Sequence, residues 1–144
     1  MNVSGDGRHL VGSAYRNDDG AADDALRRAI AAGQVSLATL ATSRVLVAVM
    51  AVADVVDDEG DKESHMAVVS MVNAEGERGL LAFTGMDALQ RWQADARPVP
   101  VSGAQAAQAA LDDGATALVI DVQGPVRMVL PMDALAELAA YGQD

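Results

Sequence analysis

Few residues in this sequence have types and spacings that could do chemistry, and they are scattered along it. The run at 54–63 carries six acids in ten residues, with Asp57, Glu59 and Asp61 at alternating positions, as the ligands of a calcium loop would be. Such a loop needs a glycine at its sixth position to turn the chain, and here Gly60 falls at the fourth. The run therefore reads as a solvated connection. Of the two histidines, His9 lies near the N-terminus and His65 opens an expected strand. Protein metal sites take three or four ligands, and neither histidine has that company. Ser64 or Ser70 with His65 makes a Ser–His–Asp set on paper only, since no strained nucleophile turn accompanies them. Soft-metal binding by methionine is the other reading of Met50, Met66, Met71, Met86, Met128 and Met132. All six fall on expected strands or core-facing helix positions, so packing explains them. The single lysine, Lys62, sits in the acidic run, which excludes a P-loop, and Gly5-Asp6-Gly7 has no strand before it, as a dinucleotide fingerprint requires. Neither a catalytic residue nor a metal or cofactor is expected.

What remains is a surface. Trp92 is the only tryptophan, and Arg91 and Arg97 flank it in an otherwise acidic chain. Tryptophan and arginine are enriched at binding hot spots, so Arg91, Trp92 and Arg97 form a candidate interaction surface. The blander alternative has Trp92 closing one end of the core beside Phe83, because Met86, Leu89 and Trp92 share one helical stripe.

Composition narrows the class. The 144 residues fit one domain, expected at 23–144 behind a polar, glycine-bearing tail at 1–22. Hydrophobic residues make up 51% but aromatic ones only 3%, so the core must be built from Val, Leu, Ala and Met. Ten basic residues against twenty-one acidic ones give a net charge of −11, which disfavours nucleic acid and anionic membranes as partners. A protein partner or a second copy of the chain is expected instead. There is no cysteine, hence no disulfide, zinc thiolate site or thiol nucleophile. That suits a cytoplasmic protein, as does a tail without the apolar segment of a secretory signal. The longest apolar run, 45–53, is far too short to span a bilayer.

The elements that must position these residues follow from periodicity. A helix is expected at 25–32, capped by Asp23 or Asp24 and stopped by Gly33, and a short helix or an extended stretch at 35–42. The uninterrupted apolar run at 45–52 is a strand covered on both faces. A strand at 66–72, a turn and a strand at 80–83 make a hairpin, followed by a helix at 86–94 capped by Thr84. Pro98 and Pro100 make 97–101 an edge strand or a loop. Ser102 caps a helix at 103–112. Strands at 117–122 and 126–130 form a second hairpin, and a helix follows with Pro131 as its first residue and Met132, Leu135, Leu138 and Ala139 on its core face. Met-Asp-Ala-Leu occurs at 86 and again at 132. The class is α+β: a mixed, largely antiparallel sheet of about five or six strands with helices packed on it, built from two ββα units plus an N-terminal helix and strand.

The stretch Gly79-Leu80-Leu81-Ala82-Phe83-Thr84-Gly85-Met86-Asp87-Ala88-Leu89-Gln90-Arg91-Trp92 resembles the signature of the SseB (enhanced serine sensitivity) N-terminal domain family. So do Asp18-Asp19-Gly20-Ala21-Ala22-Asp23, the strand at 44–52, and the ending from Ala117-Leu118-Val119-Ile120-Asp121 to Leu138. Members often carry proline where this strand has Ala48. The resemblance implies a bacterial, cytoplasmic α+β domain and brings no catalytic residue with it. A sulfurtransferase of similar name works through a cysteine, which this chain lacks. The reading is a non-enzymatic protein-interaction or regulatory module. The alternatives are a small-molecule sensor or weak enzyme with a pocket between the sheet and helix 103–112, and self-association through the strand at 99–101.

Overall fold

The computed structural model of the chain describes residues 18–53 and 64–141, and for 50–53 and 64–67 the backbone alone. The tail to residue 17 with His9, and the acidic connection with Lys62, Asp57, Glu59 and Asp61, lie outside the described residues. In chain order the elements are α1 (Asp24–Ala31), α2 (Leu37–Thr42), β1 (Arg44–Ala53), β2 (Ser64–Val68), β3 (Ser70–Val72), β4 (Arg78–Phe83), α3 (Met86–Trp92), β5 (Arg97–Ser102), α4 (Gly103–Asp112), β6 (Ala117–Ile120), β7 (Met128–Pro131) and α5 (Met132–Ala140).

The strands form one mixed sheet in which β5, β1, β4, β6 and β7 follow one another, every pair antiparallel except β4 with β6. Among the described residues it has seven strands where about five or six were expected, because the strand expected at 66–72 is two. Its first part, β2, pairs with the far half of β1, Val49 opposite Val68, and its second, β3, pairs with β4, Ser70 opposite Leu80. Since β1 and β4 run antiparallel, both pairings hold only if the chain turns between them. Val69 is that corner. Its N–H donates to the Ala48 carbonyl at 2.9 Å, and its own carbonyl accepts from Leu81 N–H at 3.3 Å.

Alternation of side chains divides the core between the two sheet faces. On one face Val45, Val47, Leu80, Ala82, Leu118, Ile120 and Leu130 meet α1, α2, α4 and α5 through Leu26, Leu40, Ala107, Ala110, Leu135 and Leu138. On the other, Leu46, Ala48, Leu81 and Phe83 meet Ala88 and Leu89 of α3 alone. The apolar run of β1 is buried on both faces, as a central strand must be. The order strand, strand, helix occurs at β3–β4–α3 and at β6–β7–α5, but the two Met-Asp-Ala-Leu helices lie on opposite faces.

Helix starts follow local chemistry in three cases. The Asp23 carboxylate accepts from Leu26 N–H at 3.0 Å, Ser36 caps α2, and Ser102 with Gln105 forms a reciprocal capping box at α4. The other two differ from expectation. Gly85, not Thr84, is the N-cap of α3, and Pro131 precedes α5 with extended ψ of 175° instead of opening it. Residues 18–22, assigned by composition to the tail, are tied to the sheet. Met86 N–H donates to Gly20 O at 2.7 Å, and Arg44 Nε to Asp18 Oδ2 at 2.9 Å.

Candidate functional site

The parallel pair β4–β6 ends with Ala82 opposite Ile120, which brings Thr84, two residues beyond Ala82, to Asp121, the residue after Ile120. Carboxyl ends of parallel strands are where open α/β sheets bind ligands, so this is the first place to look for chemistry. Asp121 has left-handed backbone (φ 51°), a conformation aspartate tolerates better than most residues. Thr84 N–H donates to its Oδ1 at 2.7 Å and Thr84 Oγ1–H to its Oδ2 at 2.7 Å. Arg27 of α1 reaches across, its Nε donating to Thr84 Oγ1 at 2.6 Å. The Arg27 guanidinium also grips Asp87 in a two-pronged fork, Nη1 to Oδ2 at 2.9 Å and Nη2 to Oδ1. The Thr84 carbonyl accepts from Asp23 N–H at 3.2 Å and Arg44 Nη1 at 3.3 Å.

Thr84 and Asp121 are both 0% exposed. Burial pushes the Asp121 carboxyl above its ordinary value, while the bonds from Thr84 and the Arg27 charge pull it back part of the way. Asp87 is held below its ordinary value by the bond from Arg27, and Arg27 is raised by the same bond. The donors and acceptors of this cluster face one another, and the sequence reading missed it. Thr84 was expected to cap α3 and Asp121 to continue the strand to 122. The available signal was an aspartate in the apolar run Ala117-Leu118-Val119-Ile120-Asp121-Val122.

The expected surface residues are only partly brought together. Trp92 is half-buried, its ring centroid 5.8 Å from that of Phe83 at a tilt of 32°, and so it does close the core there. Trp92 also lines a depression of about 350 Å³ with Ala48, Val69, Ala96 and Arg97, between α3 and the start of β5. Arg91 is not part of that depression. Its guanidinium lies toward the loop after β6, 3.4 Å from where a Cβ on Gly124 would be. Ser64 and His65 take backbone positions opposite Ala53 and Val52, and Ser70 accepts a long bond of 3.5 Å from Arg78 Nη1. Met86 and Met128 pack against the core as expected, but Met71 and Met132 are each 45% exposed. Met71 lies on the sheet face where α3 covers only part of the surface, and Met132 follows Pro131 at the outer strand.

That partial cover leaves a second depression of about 360 Å³ between β3 and β7, lined by Met71, Gly79, Val119, Val122 and Val129 with Arg78 and Arg127 among its polar residues. Among the described residues no three His, Asp or Glu side chains converge as metal ligands, and no helix is long and apolar enough to cross a membrane. No curated protein and no solved structure matches the chain. The family model of the SseB protein N-terminal domain matches residues 21–137, from the strap before α1 to the last turns of α5. The chain therefore belongs to the SseB N-terminal domain family.

Proposed function

We propose that the protein is a non-enzymatic interaction or regulatory module of a bacterial cytoplasm, and that its contact face is the sheet face carrying α3. The observation that carries this reading is the contrast between two places. At the ends of β4 and β6 the polar groups of Thr84 and Asp121 are bonded to each other and sealed from solvent. Beside α3, apolar side chains stand open: Met71 and Val129 at 45% and 47% exposure, with Trp92 and Arg97 in the neighbouring depression. Apolar surface left uncovered at one place is the mark of a docking surface. Cysteine-free composition and family membership support the cytoplasmic and bacterial parts of the reading.

The alternative of a ligand pocket beneath α4 has little to rest on. Ala104, Ala106, Ala107 and Ala110 are buried there, and small side chains draw the helix close to what lies beneath it. A dimer through β5 is opposed by its prolines, for the pairing with β1 runs unbroken through Pro98 and Pro100. Proline tolerates that only with its missing N–H turned outward, so the free edge of β5 lacks donors at both positions.

The test is site-specific photo-crosslinking in living cells. Crosslinkers at positions 97 and 129 should capture the same protein, saturably, while one at Glu137 on α5 should not. Capture at all three positions alike, or at none, would remove the reading.

A further inference from the structure

We propose that the groove between β3 and β7 receives an extended segment of a protein partner in which acidic side chains flank one or two apolar ones. This rests on the module reading above and adds the chemistry of the occupant. The groove has an apolar floor and charged margins. Gly79 holds the floor open, since a Cβ there would come within 3.1 Å of Val119 Cγ2. Its volume of about 360 Å³ sits at the small end of ligand pockets, about 300–1,000 Å³, and suits one or two aliphatic side chains.

Two features select the partner. The first is the edge. β7 is bonded to β6 on one side, and no other described strand pairs with it, so an extended chain can lie along it and drop alternate side chains into the groove. The free side of β5 is blunted by its prolines, and β2 and β3, each bonded to one strand, lie within the fork between β1 and β4. The second is charge. The chain carries −11 overall, yet the groove's lining holds the exposed Arg127, and its one acid, Glu77, is tethered by Asn73 Nδ2 at 2.9 Å; Arg78 shares the alternation of Leu80 and turns its guanidinium to the opposite face, toward Ser70 and Asp113. Arg127 has no ion pair among the described residues, whereas Arg78 is paired with Asp113. Arg91 stands beside Gly124 in the same loop that supplies Val122 and Arg127. Elsewhere Arg27 and Arg44 are engaged by Asp87 and Asp18. A cation left unpaired beside an apolar groove in an acidic protein matches an acidic segment, and charge of this kind governs partner choice and association rate. A second copy of the chain is opposed by its own net charge.

The probe is an array of decapeptides, each with a central pair drawn from Val, Ile, Leu, Met and Phe and flanks of Asp/Glu, Gln or Lys, followed by fluorescence anisotropy with the full chain. Acid-flanked peptides should bind tightest, about tenfold or more better than Lys-flanked ones of the same centre, and should weaken as salt rises. Val129→Asp should abolish binding and Arg127→Glu should erase the preference for acid. Both positions are exposed, and circular dichroism melting should show both variants folded. A preference for Lys flanks, or full binding by Val129→Asp, overturns the proposal. Peptide binding lost in Arg97→Glu but kept in Val129→Asp would move the occupant to the Trp92 side, which sinks this inference and leaves the module reading standing. Wild-type dimers in sedimentation that dissociate in Val129→Asp would overturn it in favour of a second copy.

Discussion

Thr84 and Asp121 show how two small polar side chains can decide a fold's interior. Thr84 Oγ1 both donates to the carboxylate and accepts from Arg27, so its loss strips a buried charge of a donor and a guanidinium of an acceptor. Thr84→Val keeps the volume and removes those bonds, and should cost about 2–4 kcal/mol in urea unfolding, whereas Thr84→Ser should cost far less. The titration of the cluster has a definite sign. Because burial raises the folded Asp121 value above the unfolded one, its contribution to stability is whole at low pH and is lost as pH climbs from about 4 through the raised value. Against an Asp121→Asn variant, the wild type should therefore lose ground in denaturation midpoints as pH rises above about 4. Asp87 behaves oppositely: its value is lowered, so its contribution is present above about pH 4 and disappears on acidification. The penalty of Asp87→Asn should accordingly be larger at neutral pH than at pH 3. None of this cluster was legible in the sequence beyond the odd aspartate in an apolar run. Thr84 precedes a helix, which is the local pattern of a cap. Its real partner comes from the parallel pairing of β4 with β6, thirty-seven residues away in sequence, and no local pattern carries that.

Elements were legible where a local period or cap determines them. The helix of Asp23, the Ser102 cap of α4, and the doubly buried run of β1 follow from neighbours in sequence. The corner at Val69, the opposite placement of α3 and α5, and the exposure of Met71 and Met132 depend on which faces the rest of the chain covers. The 46-residue spacing of Met-Asp-Ala-Leu suggested a repeated unit, but the copies pack on different faces against different partners. Close approach between elements has its own requirement. At the start of α4, a Cβ on Gly103 would sit 2.0 Å from the Leu40 carbonyl oxygen, and one on Gly85 would sit 2.7 Å from Ala22 Cα. Both neighbours are backbone and cannot rotate away. Gly103→Ala should cost about 3 kcal/mol or more by thermal or urea melting, as overpacking against a rigid wall does. Gln105→Ala, which opens one half of the capping box, should cost only about 1 kcal/mol in the same measurement.

Across the whole molecule, the two outer strands are managed differently. Proline blunts β5, while β7 remains short, open and beside apolar surface. Replacing Pro98 and Pro100 together by Thr restores two outward donors. The doubly substituted chain should self-associate in sedimentation where the parent does not, and salt should promote it by screening the net charge. The fork between β1 and β4 reaches further. One residue, Val69, clasps both diverging arms, its N–H donating to one and its carbonyl accepting from the other. It works as a rivet does in a pair of shears: the amides of Val69 and Leu81 should exchange with deuterium as a single event. If the rivet were drawn, by Val69→Pro, the ribbon of β1 and β2 would be free to swing while the blades below it stayed closed.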